Sequence, residues 1–218
     1  MHFEVMFFDL DETLYPSRTG IWQAIGVRMD TYIIDRLGIE TTNVSDFRES
    51  LFLRYGTTLR GLREEYGINE SDFLAFVHNI PLEQYLQLDP KLANVLELFP
   101  ARKVIFTNAD TNHARRVLSS LGVNDFFDQV IDIQRIHPYC KPMPEAFQLA
   151  LQAVGVTNPA DCVMIDDSER NLRAAHDLGM YTICVGTQEH SDFVDAAIQT
   201  IHDLPLVIPV IQSRSTGV

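Results

Sequence analysis

Two pairs of aspartates stand at widely separated points of the chain, each directly after a short run of apolar residues. Asp9 and Asp11 belong to FFDLDETLYP, and Asp166 and Asp167 belong to MIDDSERN. Carboxylates are costly to place at the end of a buried strand unless a cation satisfies them. Oxygen donors of this kind are typical of a site for a hard cation such as Mg²⁺. The pairs therefore predict a metal site, with four solvated turn carboxylates as the less favoured alternative.

Two further features lie between these pairs. TNAD at 107–110 follows another apolar run, and a Thr hydroxyl with the free N–H groups of a helix start binds phosphate well. The alternative is that Thr107 or Asn108 is an ordinary helix cap. Lys141 in CKPMPEAF precedes a helix that opens with proline, and no other Lys follows residue 103. Such a Lys is usually a surface residue, but its order and spacing among the other three features make a surface position the less favoured alternative.

The apolar runs predict the elements that position these residues. Their continuous hydrophobicity is typical of strands that are covered on both faces, as in a parallel sheet. They lie at Val5–Phe8, Val104–Phe106, Val130–Ile133, Val163–Ile165 and Thr182–Val185. Stretches with helical spacing separate the later runs, at 110–121, 143–154 and 168–178. This alternation predicts an α/β fold with a doubly wound parallel sheet, whose carboxyl strand ends face the ligand crevice.

Residues 17–88 interrupt the alternation, because most of this long segment shows helical spacing instead. Trp22, Ile25, Met29 and Ile33 recur at intervals of three and four residues. A crossover between parallel strands needs only a dozen or so residues plus its helix. The segment is therefore predicted to be an inserted helical cap over the end of the first strand, with Trp22 in the packed interior of the cap rather than in a base-stacking position.

The remaining ranges complete the predicted domain organisation. Residues 1–16 and 89–205 form the Rossmann-like core, and residues 206–218 form a C-terminal tail, with poor order expected after Pro209.

Composition limits the classes of partner. The chain has 30 Asp and Glu against 17 Lys and Arg, which gives a net charge of −13, so bulk charge disfavours binding to nucleic acid or to an anionic membrane. The three cysteines are odd in number and far apart, which is typical of a reducing compartment. The N-terminus lacks a basic segment. We therefore expect a cytoplasmic protein whose partner is a small phosphorylated metabolite; the oligomeric state stays open.

Taken together and in this order, the four motifs resemble those of the haloacid-dehalogenase-like hydrolase superfamily. That family has DxDxT, a strand-end Thr or Ser, a Lys, and a DD or GDxxxD element; here they correspond to Asp9–Thr13, Thr107–Asn108, Lys141 and Asp166–Asp167. The resemblance covers residues of about 4–190. It implies a Rossmann-like core with a helical cap inserted after the first strand.

The resemblance also implies catalytic roles. Asp9 is the nucleophile and forms an aspartyl-phosphate, and Asp11 protonates the leaving alkoxide and then deprotonates the attacking water. Thr107 and the Asn108 N–H hold phosphoryl oxygens, and Lys141 neutralises charge on the phosphate and on Asp9.

For Mg²⁺ the resemblance implies Asp167 as a direct ligand, joined by Asp9 and the backbone carbonyl of Asp11, while Asp166 holds a metal-bound water. Thr13 is expected to orient the loop around Asp11. Asn171 is expected to lie behind the direct metal ligands and to support the acidic residues there.

Asp11 distinguishes between activities within this superfamily. Dehalogenases resemble this chain at the nucleophile but lack the second Asp, because a halide leaves as an anion and needs no proton donor. Phosphate chemistry is therefore favoured. A sugar-phosphate phosphatase or a phosphomutase remains an alternative, and a non-catalytic binding or regulatory protein is the least favoured one.

Several segments further resemble the pyrimidine 5′-nucleotidase subgroup, which implies a nucleoside 5′-monophosphate substrate. They are FFDLDETLYP, RYGTTLRGL, FVHNIPLEQYL, FTNADTNHARRVLSSLGV and MIDDSERN. Specificity is expected to lie in the cap, where the 55–62 segment is predicted to be a tight loop. Its candidate substrate contacts are Tyr55, Thr57, Thr58 and Arg60. Beyond TNAD, His113 is expected to be partly exposed and Arg115–Arg116 to be a solvated helix face.

Overall fold

A six-stranded sheet, in which all neighbouring strands are parallel, forms the centre of the protein. The computed structural model describes residues 3–39, 43–188 and 191–209. The strands are β1 (Val5–Phe8), β2 (Arg102–Phe106), β3 (Gln129–Ile131), β4 (Cys162–Asp166), β5 (Tyr181–Val185) and β6 (Ala196–Ile198). They pair in the order β3-β2-β1-β4-β5-β6. The predicted α/β fold with a doubly wound parallel sheet is confirmed.

The strands are apolar throughout because layers of side chains cover both faces of the sheet. In β1, Met6 and Phe8 pack into one hydrophobic cluster, while Val5 and Phe7 pack into the cluster on the opposite face. This alternation follows from the two-residue period of a strand. The direction of the chain through the sheet changes between β1 and β4, and such a switch point opens a crevice at the carboxyl ends of the strands.

Of the described helices between β1 and β2, four lie in what is called here the helical segment (residues 17–88). They are α1 (Ile21–Thr31), which continues into one π-helical turn (Tyr32–Arg36), α2 (Val44–Tyr55), α3 (Thr58–Tyr66) and α4 (Glu70–Val77); short 3₁₀ turns occupy Ser17–Thr19 and Leu82–Gln84. Whether this segment is a domain separate from residues 1–16 and 89–205 stays a prediction.

The turn between α2 and α3 is shorter than the predicted loop over 55–62. Gly56 (φ 89°) ends α2, and the Thr57 hydroxyl accepts the Arg60 N–H at 3.1 Å as the cap of α3. Gly61 lies inside α3, not in a loop. A Cβ added there would stand 2.8 Å from the Leu51 Cβ. The glycine therefore serves close packing of two helices rather than a turn.

The helices of the sheet layers begin with α5, directly before β2, and continue after β2 in the predicted alternation. They are α5 (Pro90–Glu97), α6 (Thr111–Leu121), α7 (Pro144–Val154) and α8 (Glu169–Asp177), with 3₁₀ turns at Asn124–Phe126, Pro159–Asp161 and Ile201–Leu206. Within the described ranges, no helix is long and apolar enough to cross a bilayer.

The N-terminus of α6 differs from the prediction that a helix starts at Thr107–Asn108. Asp110 is the cap, because its carboxylate accepts the His113 N–H at 2.9 Å. The Thr107 hydroxyl instead accepts the Ala109 N–H at 3.0 Å. Thr107 and Asn108 therefore form a turn between β2 and α6, a geometry that Ser and Thr hydroxyls support.

The C-terminal region contains two features that the sequence did not predict. β6 is only three residues long and has alanine at two of them, so it carries little apolar signal. Ile208 is buried within the predicted tail at 206–218. The predicted poor order concerns residues 210–218, which lie outside the described residues.

Candidate active site

The carboxyl ends of β1 and β4 bring three carboxylates together. One oxygen each of Asp9, Asp166 and Asp167 lies within 4.8 Å of the others. Thr13 connects the two strand ends, because its hydroxyl donates to Asp167 Oδ1 at 3.1 Å and accepts the Asp167 N–H at 3.0 Å. The two acidic pairs that are far apart in the sequence therefore meet at the switch point of the sheet.

The Lys141 ammonium lies inside this acidic cluster. Its Nζ is 2.7 Å from Asp9 Oδ1 and 2.7 Å from Asp166 Oδ2, and the side chain is only 1% exposed. Burial alone would lower the pKa of Lys141, but the charges and hydrogen bonds of the two carboxylates raise it. Lys141 is therefore a fixed positive charge, and the sequence-based surface alternative does not apply.

The cluster still has more negative charge than one ammonium can balance. Burial raises the pKa of Asp9 well above its usual value against the opposing pull of Lys141, and Asp166 and Asp167 add to the increase. Burial and the neighbouring Asp166 raise the pKa of Asp167 to about 7. Three carboxylates with one ammonium have two uncompensated charges when ionised. An all-oxygen donor set with this excess fits a divalent hard cation such as Mg²⁺.

Asp166 is the most completely hydrogen-bonded member of the cluster. Asn171 Nδ2 donates to both of its oxygens at 3.0 Å, and the Ser168 N–H donates to Oδ1 at 2.8 Å. With Lys141 on Oδ2 as well, this carboxylate orients its neighbours and has less capacity for a direct ligand bond than Asp167 does.

Asn108 fixes the segment that carries Lys141. Its Oδ1 accepts the Lys141 N–H at 2.9 Å, and its Nδ2 donates to the Lys141 carbonyl at 3.0 Å. The turn after β2 and the segment before α7 are thereby joined beside Asp9. Thr107 and Asn108 line the same cleft as Asp9 and Lys141, so the structure brings all of these predicted residues together.

Asp11 has two partners that sequence reasoning missed. The Tyr15 hydroxyl lies 2.5 Å from Asp11 Oδ1, and His113 Nε2 lies 2.8 Å from the same oxygen. Burial would raise the pKa of Asp11, but the charge and hydrogen bond of His113 and the bond from Tyr15 lower it. Between Asp11 and Thr13 the chain turns through Glu12 at φ 64°, an uncommon conformation for a residue other than glycine.

His113 is completely buried, so the expectation of partial exposure is wrong. The sequence did contain a signal, because His113 stands one turn before Val117 on the apolar face of α6. Its ring stacks on that of His78, with ring centres 4.2 Å apart. His78 Nδ1 lies 2.5 Å from Asp110 Oδ2, which explains why the pKa of Asp110 falls to about 2 despite burial.

Arg116 on α6 is also not a solvated residue. Its guanidinium donates to the carbonyl of His78 at 2.8 Å and to that of Ile80 at 2.5 Å. The first two turns of α6 therefore bind the end of the helical segment, next to Asp11.

A cleft of about 460 Å³ opens above the acidic cluster and is closed on the other side by the helical segment. Its apolar lining residues on the side of the helical segment include Trp22, Met29, Phe52, Phe73, Leu74 and Val77. Its polar ones on that side include Ser45, Arg48, Glu49 and Thr57. Trp22 is 43% exposed and does not lie in a packed interior, because its side of α1 faces the cleft while Ile25 is buried.

The four predicted substrate contacts divide into two groups. Thr57 and Thr58 line the cleft. Tyr55 instead donates its hydroxyl to Glu65 at 2.9 Å, and Arg60 donates to the Tyr55 carbonyl at 3.1 Å. Neither Tyr55 nor Arg60 is among the described residues that line the cleft.

Comparison with known proteins gives concordant results. A family model described as haloacid dehalogenase-like hydrolase matches residues 3–179. Phosphate metabolism protein 8 of Saccharomyces cerevisiae is 27% identical over 242 residues, which span 99% of this chain and 75% of that protein. Fructose-1-phosphate phosphatase YqaB of Escherichia coli is 29% identical over 96 residues, 43% of this chain and 50% of that protein.

Among solved structures, β-phosphoglucomutase from Clostridium difficile has a similar fold. The TM-score is 0.62 at 21% identity, and the match covers 93% of each chain.

Proposed function

The chain belongs to the haloacid dehalogenase-like hydrolases, and from that membership we propose a Mg²⁺-dependent phosphomonoesterase that acts on nucleoside 5′-monophosphates, with pyrimidine nucleotides favoured. The observation that carries the proposal is the position of Asp11. A second carboxyl stands two residues beyond Asp9 at the rim of the same cleft, where it can supply the proton that an alkoxide leaving group needs and a halide does not.

The proposed reaction has two steps. Asp9 attacks phosphorus while the bond to the leaving oxygen breaks, and Asp11 gives its proton to that oxygen. Asp11 then takes a proton from water, whose oxygen attacks the aspartyl-phosphate and releases Asp9 with inorganic phosphate. Lys141 holds Asp9 in place and offers positive charge to the phosphoryl oxygens. The Thr107 hydroxyl and the Asn108 N–H donate hydrogen bonds to the same oxygens.

Asp9, Asp167 and the Asp11 carbonyl are the proposed direct ligands of Mg²⁺, with Asp166 acting through a water. When bound, the cation supplies the positive charge that allows an anionic ester to approach an anionic nucleophile.

The lining of the cleft supports a substrate with a flat, partly apolar leaving group. A sugar phosphate needs hydrogen-bond partners for several hydroxyls, and a wall that leaves such groups unpaired loses affinity. Trp22 and Phe52 offer aromatic surface on the helical side, which suits stacking of a base. Thr57 and Arg48 provide polar contacts nearby.

A sugar-phosphate phosphatase or a phosphomutase is the second candidate. The E. coli relative, whose name specifies fructose 1-phosphate, favours it, and the polar residues Ser45 and Glu49 of the cleft could meet sugar hydroxyls.

A panel of phosphate esters, ranked by kcat/KM in the presence of Mg²⁺, separates the two candidates. We expect UMP and CMP to exceed hexose 1- and 6-phosphates by about tenfold or more, equivalent to ~1.4 kcal/mol in transition-state binding. Hexose phosphates that exceed both nucleotides by that margin would show the nucleotide assignment to be wrong while leaving the phosphatase activity intact.

A further inference from the structure

The Asp11 carboxyl is held at only one of its two oxygens. Both Tyr15 and His113 contact Oδ1, at 2.5 and 2.8 Å, and no hydrogen bond within the described ranges falls on Oδ2. A carboxyl group fixed in this way cannot rotate freely, so its second oxygen keeps one direction. Asp11 itself lines the cleft, which makes Oδ2 the oxygen available to a bound ester.

The His113 ring is immobilised on several sides. His113 lies on the first turn of α6, where its backbone N–H donates to the Asp110 carboxylate. Its ring stacks against the ring of His78. Its Nδ1 has no hydrogen-bond partner among the described residues. Among the described residues, Asp11 is therefore the sole hydrogen-bond partner of this buried ring.

Such a ring is costly for the fold. A buried polar nitrogen without a partner destabilises a protein, whereas an apolar side chain at this position would fill the space without that cost. The hydrogen bond to Asp11 is therefore what His113 supplies and an apolar side chain could not.

We infer that His113 is a positioning residue that fixes the Asp11 carboxyl so that Oδ2 faces the leaving oxygen of the substrate. The inference rests on the proposed phosphomonoesterase activity and deepens it, because it assigns a group that neither the sequence motifs nor the family comparison identifies. Tyr15 holds the same oxygen, and His78 supports the ring from the helical segment.

The contribution of a positioned proton donor depends on the leaving group. A positioned proton donor contributes about 10²–10⁴-fold when the leaving oxygen is strongly basic. A weakly basic leaving group such as 2,4-dinitrophenolate departs as an anion and gains little from a donor. Loss of His113 should therefore slow alkyl phosphates much more than 2,4-dinitrophenyl phosphate.

Two variants of nearly equal length isolate the hydrogen bond. His113→Gln places an amide N–H four bonds from Cα, as Nε2 is, and His113→Met has similar length but no donor. We expect His113→Met to lower kcat for UMP at least about 30-fold more than kcat for 2,4-dinitrophenyl phosphate. KM for UMP should change little, and His113→Gln should restore most of the loss.

Several outcomes would overturn the inference. They are equal losses on the two substrates, an unchanged kcat for UMP in His113→Met, or no difference between the Met and Gln variants. If His113→Met does not fold, as judged by thermal denaturation, Tyr15→Phe is measured in its place and must show the same selective loss. A wild-type enzyme inactive on both substrates refutes the proposed function and this inference together, whereas unselective losses refute the inference alone.

Discussion

The two walls of the cleft are built in opposite ways. On the strand-end wall, Asp9, Lys141 and Asp166 are at most 8% exposed, and Lys141 donates to both carboxylates at 2.7 Å. On the helical wall, Trp22 and Phe52 are 43% and 39% exposed. The Phe52 ring makes a cation–π contact with Arg170, whose Cζ lies 4.7 Å from the ring centre.

The difference separates chemistry from selectivity. Buried charges with fixed partners need no reorganisation when a phosphoryl group arrives, which is the condition for electrostatic catalysis. Exposed aromatic surface contributes affinity in proportion to the apolar area that a ligand covers. It does not hold that ligand in one fixed orientation. The strand-end wall should therefore bind the phosphoryl group of every phosphate ester alike, while the helical wall discriminates among leaving groups by their shape.

The largest predicted effect comes from removing the cation of the strand-end wall. Lys141→Met leaves Asp9 and Asp166 without their partner, and loss of one member of a buried ion pair costs about 3–5 kcal/mol of unfolding free energy. Catalysis should fall about 10²–10³-fold or more as stabilisation of the phosphoryl oxygens is lost. Urea denaturation and phosphate release measure the two effects.

The matched control lies in the helical segment. Arg48 and Asp30 form an ion pair at 2.9 Å with side chains 23% and 24% exposed, and Asp30→Asn should cost about 1 kcal/mol or less. Similar stability losses in Lys141→Met and Asp30→Asn would contradict the contrast between the two walls.

The pH dependence of stability offers a second test of the strand-end wall. With no cation bound, burial and the neighbouring Asp166 raise the pKa of Asp167 from its ordinary 3.8 to about 7, so the folded state binds a proton that the unfolded state has released. The free energy of unfolding should therefore fall as the pH rises from about 4 to 7. Asp167→Asn removes this contribution.

The measurement compares urea midpoints at pH 5 and pH 8 in EDTA. Between these pH values the wild type should lose more stability than Asp167→Asn does, and Mg²⁺ at pH 8 should restore the wild type. A parallel decrease in the two proteins would show that Asp167 is not the crowded carboxylate described above.

The smallest predicted effect belongs to the helical wall. Stacking of a base on an aromatic side chain is worth about 1–3 kcal/mol, so Trp22→Ala should lower kcat/KM for UMP by about tenfold. Acetyl phosphate, which has no base to stack, should be affected by less than about twofold.

Val27→Ala serves as the control for Trp22, because Val27 is on the same helix and is 64% exposed but is not among the residues that line the cleft. Equal losses on UMP and acetyl phosphate in Trp22→Ala would mean that the tryptophan supports the fold of the segment instead of contacting substrate.

The sequence predicted the strand-end wall well for a physical reason. Buried parallel strands are recognisable as apolar runs, and residues directly after them must meet at one edge of the sheet. The sequence therefore predicts that Asp9 and Asp167 meet, whereas the place of Lys141, which does not directly follow a strand, is predicted from its order among the four motifs. The contact of His113 with Asp11 was not predictable in this way, because it depends on the rotation of α6 against the strand ends.

The helical wall was less predictable because helical spacing defines a face but not what that face meets. Trp22 and Ile25 fall on one stripe in the sequence, yet Ile25 is fully buried and Trp22 faces the cleft. Tyr55 and Arg60 had plausible residue types, but Tyr55 is bound to Glu65 and Arg60 to the backbone of Tyr55.

The central claim is that Asp9 attacks phosphorus in a site that depends on Mg²⁺. It is tested most directly by phosphate release from p-nitrophenyl phosphate by the wild type and by Asp9→Asn, each with Mg²⁺ and with EDTA. We predict release by the wild type with Mg²⁺ and background rates in the other three conditions, because the variant lacks the nucleophile and EDTA removes the cation. Activity that persists in Asp9→Asn and in EDTA would contradict the account.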